Sequence, residues 1–314
     1  MKHSVPITII LILTFATAQL FGLFLILKDA KIERVPSGEV QISHPESVMG
    51  PRPNIKNGEL VLFLIGMMLI GTFLILILAR FKQPTIWKGM YFLAVWGAIA
   101  ITLGVFIKSE VVLAIAVVLA LLKVLKPNPI VHNITEIMVY SGVALIIVPL
   151  LTPAWAILLL IIISIYDMIA VWRSGHMITL AKFQMGTKLF SGLFIPYPQN
   201  PSKELSSSEV KKRIASRNSA SAAKPAKIAN GPQNAVLGGG DIVYPMIFAG
   251  VMLEGFIRSG LGVFLSFIKA SIISVGATIA LTILLIKSEK GKFYPAMPFI
   301  SAGCLMGALA SWLI

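Results

Sequence analysis

Long apolar runs separated by short polar breaks dominate the chain. They lie near 6–27, 59–79, 89–107, 110–124, 133–151, 154–172, 241–258, 269–286 and 296–314. Most approach or reach the roughly 20 residues that a helix needs to cross a bilayer. The pattern predicts an all-α polytopic membrane protein with nine transmembrane helices; a membrane β-barrel would instead show short alternating strands. Lys108 and Glu110 separate the third and short fourth runs and predict a tight hairpin there. The first run follows Lys2 as a signal peptide would, but it continues through Leu27 and predicts an uncleaved span.

Two long connections divide the chain. Residues 28–58 mix charges of both signs with four prolines. Residues 173–240 separate a six-span part, 1–172, from a three-span part, 241–314. Within that loop, 189–196 is apolar but too short to span, which predicts a segment resting on the membrane surface or packed on the bundle. Residues 199–236 are rich in Ser, Ala, Lys, Asn and Pro and predict a flexible stretch, because they offer too little apolar surface to offset ordering entropy.

Charge adds a direction. Lys and Arg are more numerous in the connections after even-numbered spans, and Arg173, Lys182 and Lys188 follow the sixth. By the positive-inside tendency this predicts a cytoplasmic N-terminus, a cytoplasmic 173–240 loop and an external C-terminus, as in a protein of the cell membrane. The net charge of +14 sits at segment ends and in that loop, the distribution suited to lipid headgroups rather than nucleic acid. His3, His44, His132 and His176 are too scattered to predict a metal site, and Cys304 reads as apolar packing.

The informative chemistry is acidic. Asp29, Asp167 and Asp241 are the only aspartates, and Asp167 lies inside the sixth apolar run. A charged carboxylate at the centre of a membrane helix costs about 2.5–3.5 kcal/mol on insertion scales, so such groups are usually functional. Asp241 opens the seventh run after Gly238, Gly239 and Gly240. If the sixth and seventh spans pack together, the two carboxyls meet at similar depth, and two close carboxyls in a low-dielectric site share one proton. Such a pair can deprotonate a water and protonate a leaving amine, with no cofactor and no metal. The Gly-x-Ser-x-Gly, His-Glu-x-x-His and phosphate-loop signatures are absent. Three glycines allow another backbone to approach, and Pro295 and Pro298 predict that Ala296 and Met297 stay out of regular helix with free backbone groups.

Tyr166-Asp167, Gly238-Gly239-Gly240-Asp241 and Pro295-Ala296-Met297 stand in the order of three motifs. In that order they resemble the Tyr-Asp, Gly-x-Gly-Asp and Pro-Ala-Leu motifs of the presenilin and signal peptide peptidase family, and the compact length resembles its archaeal presenilin homologues. The resemblance covers essentially the whole chain and departs at Met297, a nearly volume-conserving change from leucine. It implies a presenilin-like bundle and an intramembrane aspartyl endopeptidase. Asp167 and Asp241 would be catalytic, with Tyr166, the three glycines, Pro295, Ala296 and Met297 binding substrate or shaping the site. The partners implied are transmembrane helical substrates and lipid. The two branches of the family have opposite orientations, and the charge bias favours the presenilin one.

Three other readings compete with that one. The same carboxylates would suit a proton- or ion-coupled transporter, although the nine runs do not divide into matching halves. A signal-peptide-peptidase-type protease would insert in reverse. A noncatalytic scaffold would need neither aspartate. Glu136 and Glu254 read as interfacial or paired, Lys269 as the edge of the eighth span, and Asn133-Ile134-Thr135 as a chance glycosylation sequence.

Overall fold

The computed structural model describes residues 5–34, 36, 39–107, 109–126, 128–174, 180, 183–184, 186–187, 189–196, 234–289 and 294–313. Among these the long helices are α1 (Val5–Asp29), α2 (Asn57–Arg80), α3 (Pro84–Gly104), α4 (Val111–Leu125), α5 (Pro129–Ile147), α6 (Pro153–Ile169), α7 (Gly240–Arg258), α8 (Val263–Lys287) and α9 (Met297–Leu313). Seven have the length and hydropathy of a membrane span; α4 and α9 are shorter and equally apolar. Local chemistry sets several ends. Pro84, Pro129 and Pro153 open α3, α5 and α6, where the missing N–H costs nothing. Asn128 caps α5, its side chain accepting from the Ile130 N–H. Lys28, Arg80, Lys123, Arg258 and Lys287 close five helices at the negative end of their dipoles.

α7 is the hub. Its side chains Ile242, Met246, Phe248, Ala249 and Leu253 are fully enclosed by α1, α5, α6, α8 and α9. α2 stands at the periphery, with Leu62 and Phe73 facing outward as a lipid-exposed helix should. Lipid is as apolar as the core, so close packing and polar bonds hold such a bundle together. α8 and α9 pack most closely: a Cβ on Gly307 would lie 2.8 Å from the Ile273 Cα. Gln19 of α1 donates to the Ile242 carbonyl at 2.8 Å, and Lys269 of α8 donates to the Ser311 carbonyl at 2.7 Å. Measured interhelical bonds in membranes average about 0.6 kcal/mol, so several such links are needed rather than one.

Two antiparallel hairpins depart from the all-helical expectation. β1 (Lys31–Arg34) pairs with β2 (Val40–Ser43) in the first long connection. β3 (Gly192–Pro196) pairs with β4 (Asn234–Gly238), with Gly192 opposite Gly238 and Phe194 opposite Val236. The apolar 189–196 segment is thus a strand: Leu193 is fully buried and β3 packs on α5 and α1, as one of the two sequence readings had it. The stretch expected to be flexible ends in strand from Asn234, because Ala235 and Leu237 bury themselves against that partner. Residues 199–233, the remainder of that stretch, lie outside the described residues. Lys269 is also corrected. α8 begins at Val263, so Lys269 is buried inside it, not at its edge.

At the end of α7 remote from Asp241, an ion-pair cluster fastens the first connection. Arg52 Nη2 lies 2.6 Å from Asp29 Oδ2, and Arg258 Nη2 lies 3.0 Å from Glu254 Oε2. His44 bridges the two carboxylates, 3.0 Å from Asp29 and 3.1 Å from Glu254. Burial opposes its charge, but its bonds to both carboxylates and their fields outweigh this and hold its pKa above the ordinary 6.5. A cavity of about 450 Å³ beside this cluster is lined by His44, Lys56 and Arg258 and contains neither Asp167 nor Asp241.

Candidate active site

Asp167 lies in the last turn of α6, and Asp241 in the first turn of α7. α6 packs against both α7 and α9, which brings the three motif segments to one end of the bundle. Asp167 and Asp241 are close enough to interact electrostatically. Ser164, one turn before Asp167, hydrogen-bonds to Ser301 of α9 at 2.8 Å and fixes the two helices against each other. Beyond Asp167, α6 widens into a π turn over Ala170–Ser174, a feature often found beside functional groups.

The Pro-Ala-Met segment differs from its expected form. Met297 is the first residue of α9, with Pro298 in the first turn where proline is tolerated. Its N–H belongs to the unpaired donors of a helix start and donates to Asp167 Oδ2 at 3.1 Å. The Ala296 carbonyl accepts from the Ile300 N–H at 3.1 Å. Neither group is left free as the two prolines suggested. The segment instead aims a helix N-terminus at a carboxylate, where the dipole favours negative charge. Pro295 is buried.

The glycines join the hairpin to α7. Gly238 ends β4, Gly239 precedes the helix and Gly240 begins it. The Gly239 N–H donates to the Ser191 carbonyl at 3.2 Å, extending the β3–β4 pairing into the turn. A Cβ on Gly239 would lie 2.9 Å from Tyr140 Cε1 and 3.1 Å from Ser191 Oγ, so the Tyr140 ring requires a residue without a side chain there. Asp241 folds back over Gly238, where a Cβ would lie 3.2 Å from Oδ2. Pro245 has no N–H to give the Asp241 carbonyl, which therefore lacks its usual partner four residues on. The Tyr166 hydroxyl lies 3.2 Å from Thr72 Oγ1 of α2.

Several residues around the site carried no sequence signal. Gln19 braces the start of α7 at Ile242, next to Asp241. Tyr140 covers Gly239, and Ser164 and Ser301 bridge α6 to α9. A lone Gln or Ser in an apolar run reads as tolerated polarity unless its distant partner is known. Asn133, read as part of a chance sequence, makes two hydrogen bonds to the main chain of Phe194.

The sequence profile of the family described as signal-peptide peptidase, presenilin aspartyl protease matches residues 22–314. The chain belongs to that family. Two crystal forms of a presenilin family intramembrane aspartate protease share the fold. One has a TM-score of 0.55 at 19% identity, covering 96% of this chain and 98% of that one. The other has a TM-score of 0.54 at 20% identity, covering 96% of each. No curated protein matches the sequence. As a member of the presenilin and signal-peptide peptidase family, the chain is an aspartyl protease of the intramembrane class, held in the membrane by its apolar helices.

Proposed function

We propose that Asp167 and Asp241 are the catalytic dyad of this protease and that it hydrolyses peptide bonds within transmembrane helices. The observation that carries the reading is that the carboxyls of Asp167 on α6 and Asp241 on α7, beside the β4–glycine turn, are close enough to interact electrostatically. In the working state the pair holds one proton. The ionised carboxylate takes a proton from a water as its oxygen attacks the scissile carbonyl carbon. The protonated partner gives its proton to the carbonyl oxygen. Collapse of the tetrahedral intermediate then breaks the C–N bond, and a proton passes to the leaving amine. The reaction requires water and two carboxyls, and no metal or cofactor.

A helical substrate hides its scissile bond, so it must unwind and find partners for its freed backbone groups. Among the described residues β4 pairs with β3 alone, and it runs directly into the Asp241 turn. Strand addition to that edge would present the substrate backbone to the dyad. The Met297 N–H supports the charged form of Asp167. This gives Pro295, Ala296 and Met297 a site-shaping role, with substrate-holding assigned to the hairpin. Tyr166 and the three glycines shape the same end.

The bias of Lys and Arg toward connections after even-numbered spans favours an N-terminus and a dyad end at the cytoplasmic side, with the C-terminus outside. Reconstitution tests the whole reading. Purified protein in liposomes is incubated with a panel of transmembrane peptides, and the products are mapped by mass spectrometry. Cuts within the apolar segment of a peptide are expected. Ion or solute uptake by the same vesicles without any peptide cleavage would instead favour a transporter. Single cysteines at the helix ends, labelled in intact cells in a Cys304→Ser background, test orientation. Labelling of the dyad end from outside would indicate the reversed, signal-peptide-peptidase arrangement.

A further inference from the structure

A second polar cluster lies buried between α3, α4 and α5, outside the carboxylate pair. Lys123 Nζ is 2.7 Å from Glu136 Oε1, and the two side chains are 0% and 1% exposed. Lys123 also donates to Thr135 Oγ1 at 2.9 Å and to the His132 carbonyl at 3.2 Å, so all three ammonium donors have acceptors. Burying such a pair rarely adds net stability, since two apolar side chains of similar volume often serve as well or better. Its presence calls for a role other than stability, and its neighbours supply one.

Those neighbours all reach the same edge of β3. The Tyr91 hydroxyl lies 2.8 Å from Glu136 Oε1 and 3.2 Å from the Phe190 carbonyl oxygen, with a single proton to share between them. His132 Nε2 is 2.8 Å from the Gly192 carbonyl oxygen; that oxygen only accepts, so the ring proton is on Nε2. Asn133 donates to the Phe194 carbonyl and accepts from the Phe194 N–H, each at 2.9 Å. Residues 190, 192 and 194 alternate, so their backbone groups point to one side of the strand. The other side faces β4 and gives the Ser191 carbonyl to the Gly239 N–H. Three side chains from two helices thus replace a third strand. Tyr140, one turn beyond Glu136, closes over Gly239 at the far end of the same path.

We infer that Tyr91, His132 and Asn133, anchored by the Lys123–Glu136 pair, are positioning residues that lock the register of the β3–β4 hairpin and so fix Gly239 and Asp241 against the substrate. A two-residue slip of a strand keeps its faces and changes only its register, so side-chain burial alone does not prevent it. Side chains bonded to specific backbone groups do. The inference rests on the proposed proteolysis for its consequence, since a displaced hairpin would present a different substrate bond to the dyad.

The test uses the full chain in liposomes with Asn133→Leu, His132→Phe and the double variant. These remove bonds to β3, keep side-chain size and leave the Lys123–Glu136 pair intact. Thermal midpoints should stay close to that of the unaltered protein. Amide exchange over 192–196 and 235–239 should rise. On a cleavable transmembrane peptide, kcat should fall roughly tenfold with KM changed less than about twofold, as expected for misplacement of reacting groups. Cleavage should also spread to neighbouring bonds, a change that simple loss of folded protein does not produce. If exchange, kcat and product ratios stay unaltered in a folded double variant, or if activity falls only with the folded fraction at constant product ratios, the inference is overturned. Should the unaltered protein cleave no peptide, the proteolytic reading fails separately, and hydrogen exchange still decides whether these residues lock the hairpin.

Discussion

The main-chain N–H of Met297 donates to Asp167 Oδ2 at 3.1 Å, across 130 residues of sequence. It joins the Pro-Ala-Met segment directly to one carboxylate of the proposed pair. Met297→Leu keeps the N–H and nearly the same volume, so activity should change by no more than about threefold. Met297→Pro removes the donor at a helix start, where proline is otherwise tolerated. It should lower the cleavage rate per folded protein by about tenfold or more, the effect of about 1.4 kcal/mol, with some loss of thermal midpoint because the buried Met297 side chain goes too. Equal activity of the two variants on a transmembrane peptide would remove the hydrogen bond from the mechanism.

Gly239 should tolerate no side chain while Tyr140 is present. A Cβ there would meet Tyr140 Cε1 at 2.9 Å, and Gly239 also holds the hairpin through Ser191. Gly239→Ala should therefore reduce cleavage by about tenfold through displacement of the Asp241 turn. Pairing it with Tyr140→Leu should recover part of that loss, because the two residues share one contact and their effects should not add. Strict additivity in a four-variant cycle would mean that Tyr140 does not set the constraint.

His44 couples pH to stability at the end of α7 remote from Asp241. Its folded pKa lies above 6.5, so folding favours the protonated ring. Its contribution is fully present below 6.5 and is lost as pH rises through the higher folded value. The thermal midpoint should decline across that window. In His44→Gln the decline should flatten and the low-pH midpoint should fall, because Asp29 and Glu254 then face a neutral group. An unaltered pH dependence in this variant would contradict the bridge.

The helices were legible in the sequence, while most of what supports the turn at Asp241 was not. Uninterrupted apolar runs define the nine long helices among the described residues almost unaided, and only their ends shift, as at Val263 and Pro129. β3 and β4 were hidden because each is five residues long and their pairing bridges a long loop. Prolines at 295 and 298 suggested that Ala296 and Met297 would stay out of the helix, and nothing local showed that Met297 would begin α9 with its N–H on Asp167, 130 residues away. Glu136 and Glu254 read as paired or interfacial, and both are paired, with Lys123 and with Arg258 and His44. Their partners are fixed by packing, which no local pattern encodes.

Shared-proton chemistry also predicts how the rate depends on pH. A pair carrying one proton is inactive when it carries two and when it carries none, so cleavage should follow a bell-shaped profile. A rate that stays level from acid to alkaline conditions, with the protein folded throughout, would exclude the mechanism.

The central claim is that Asp167 and Asp241 act as one catalytic unit. Its most direct test is single-turnover cleavage of a transmembrane peptide by Asp167→Asn, Asp241→Asn and the double variant in liposomes, with product mass spectrometry and thermal midpoints measured on the same samples. Each single variant should stay folded and lose cleavage to background, and the double variant should be no worse than either, because groups that act together are not lost twice. Cleavage by either folded single variant at a substantial fraction of the unaltered rate would contradict the account.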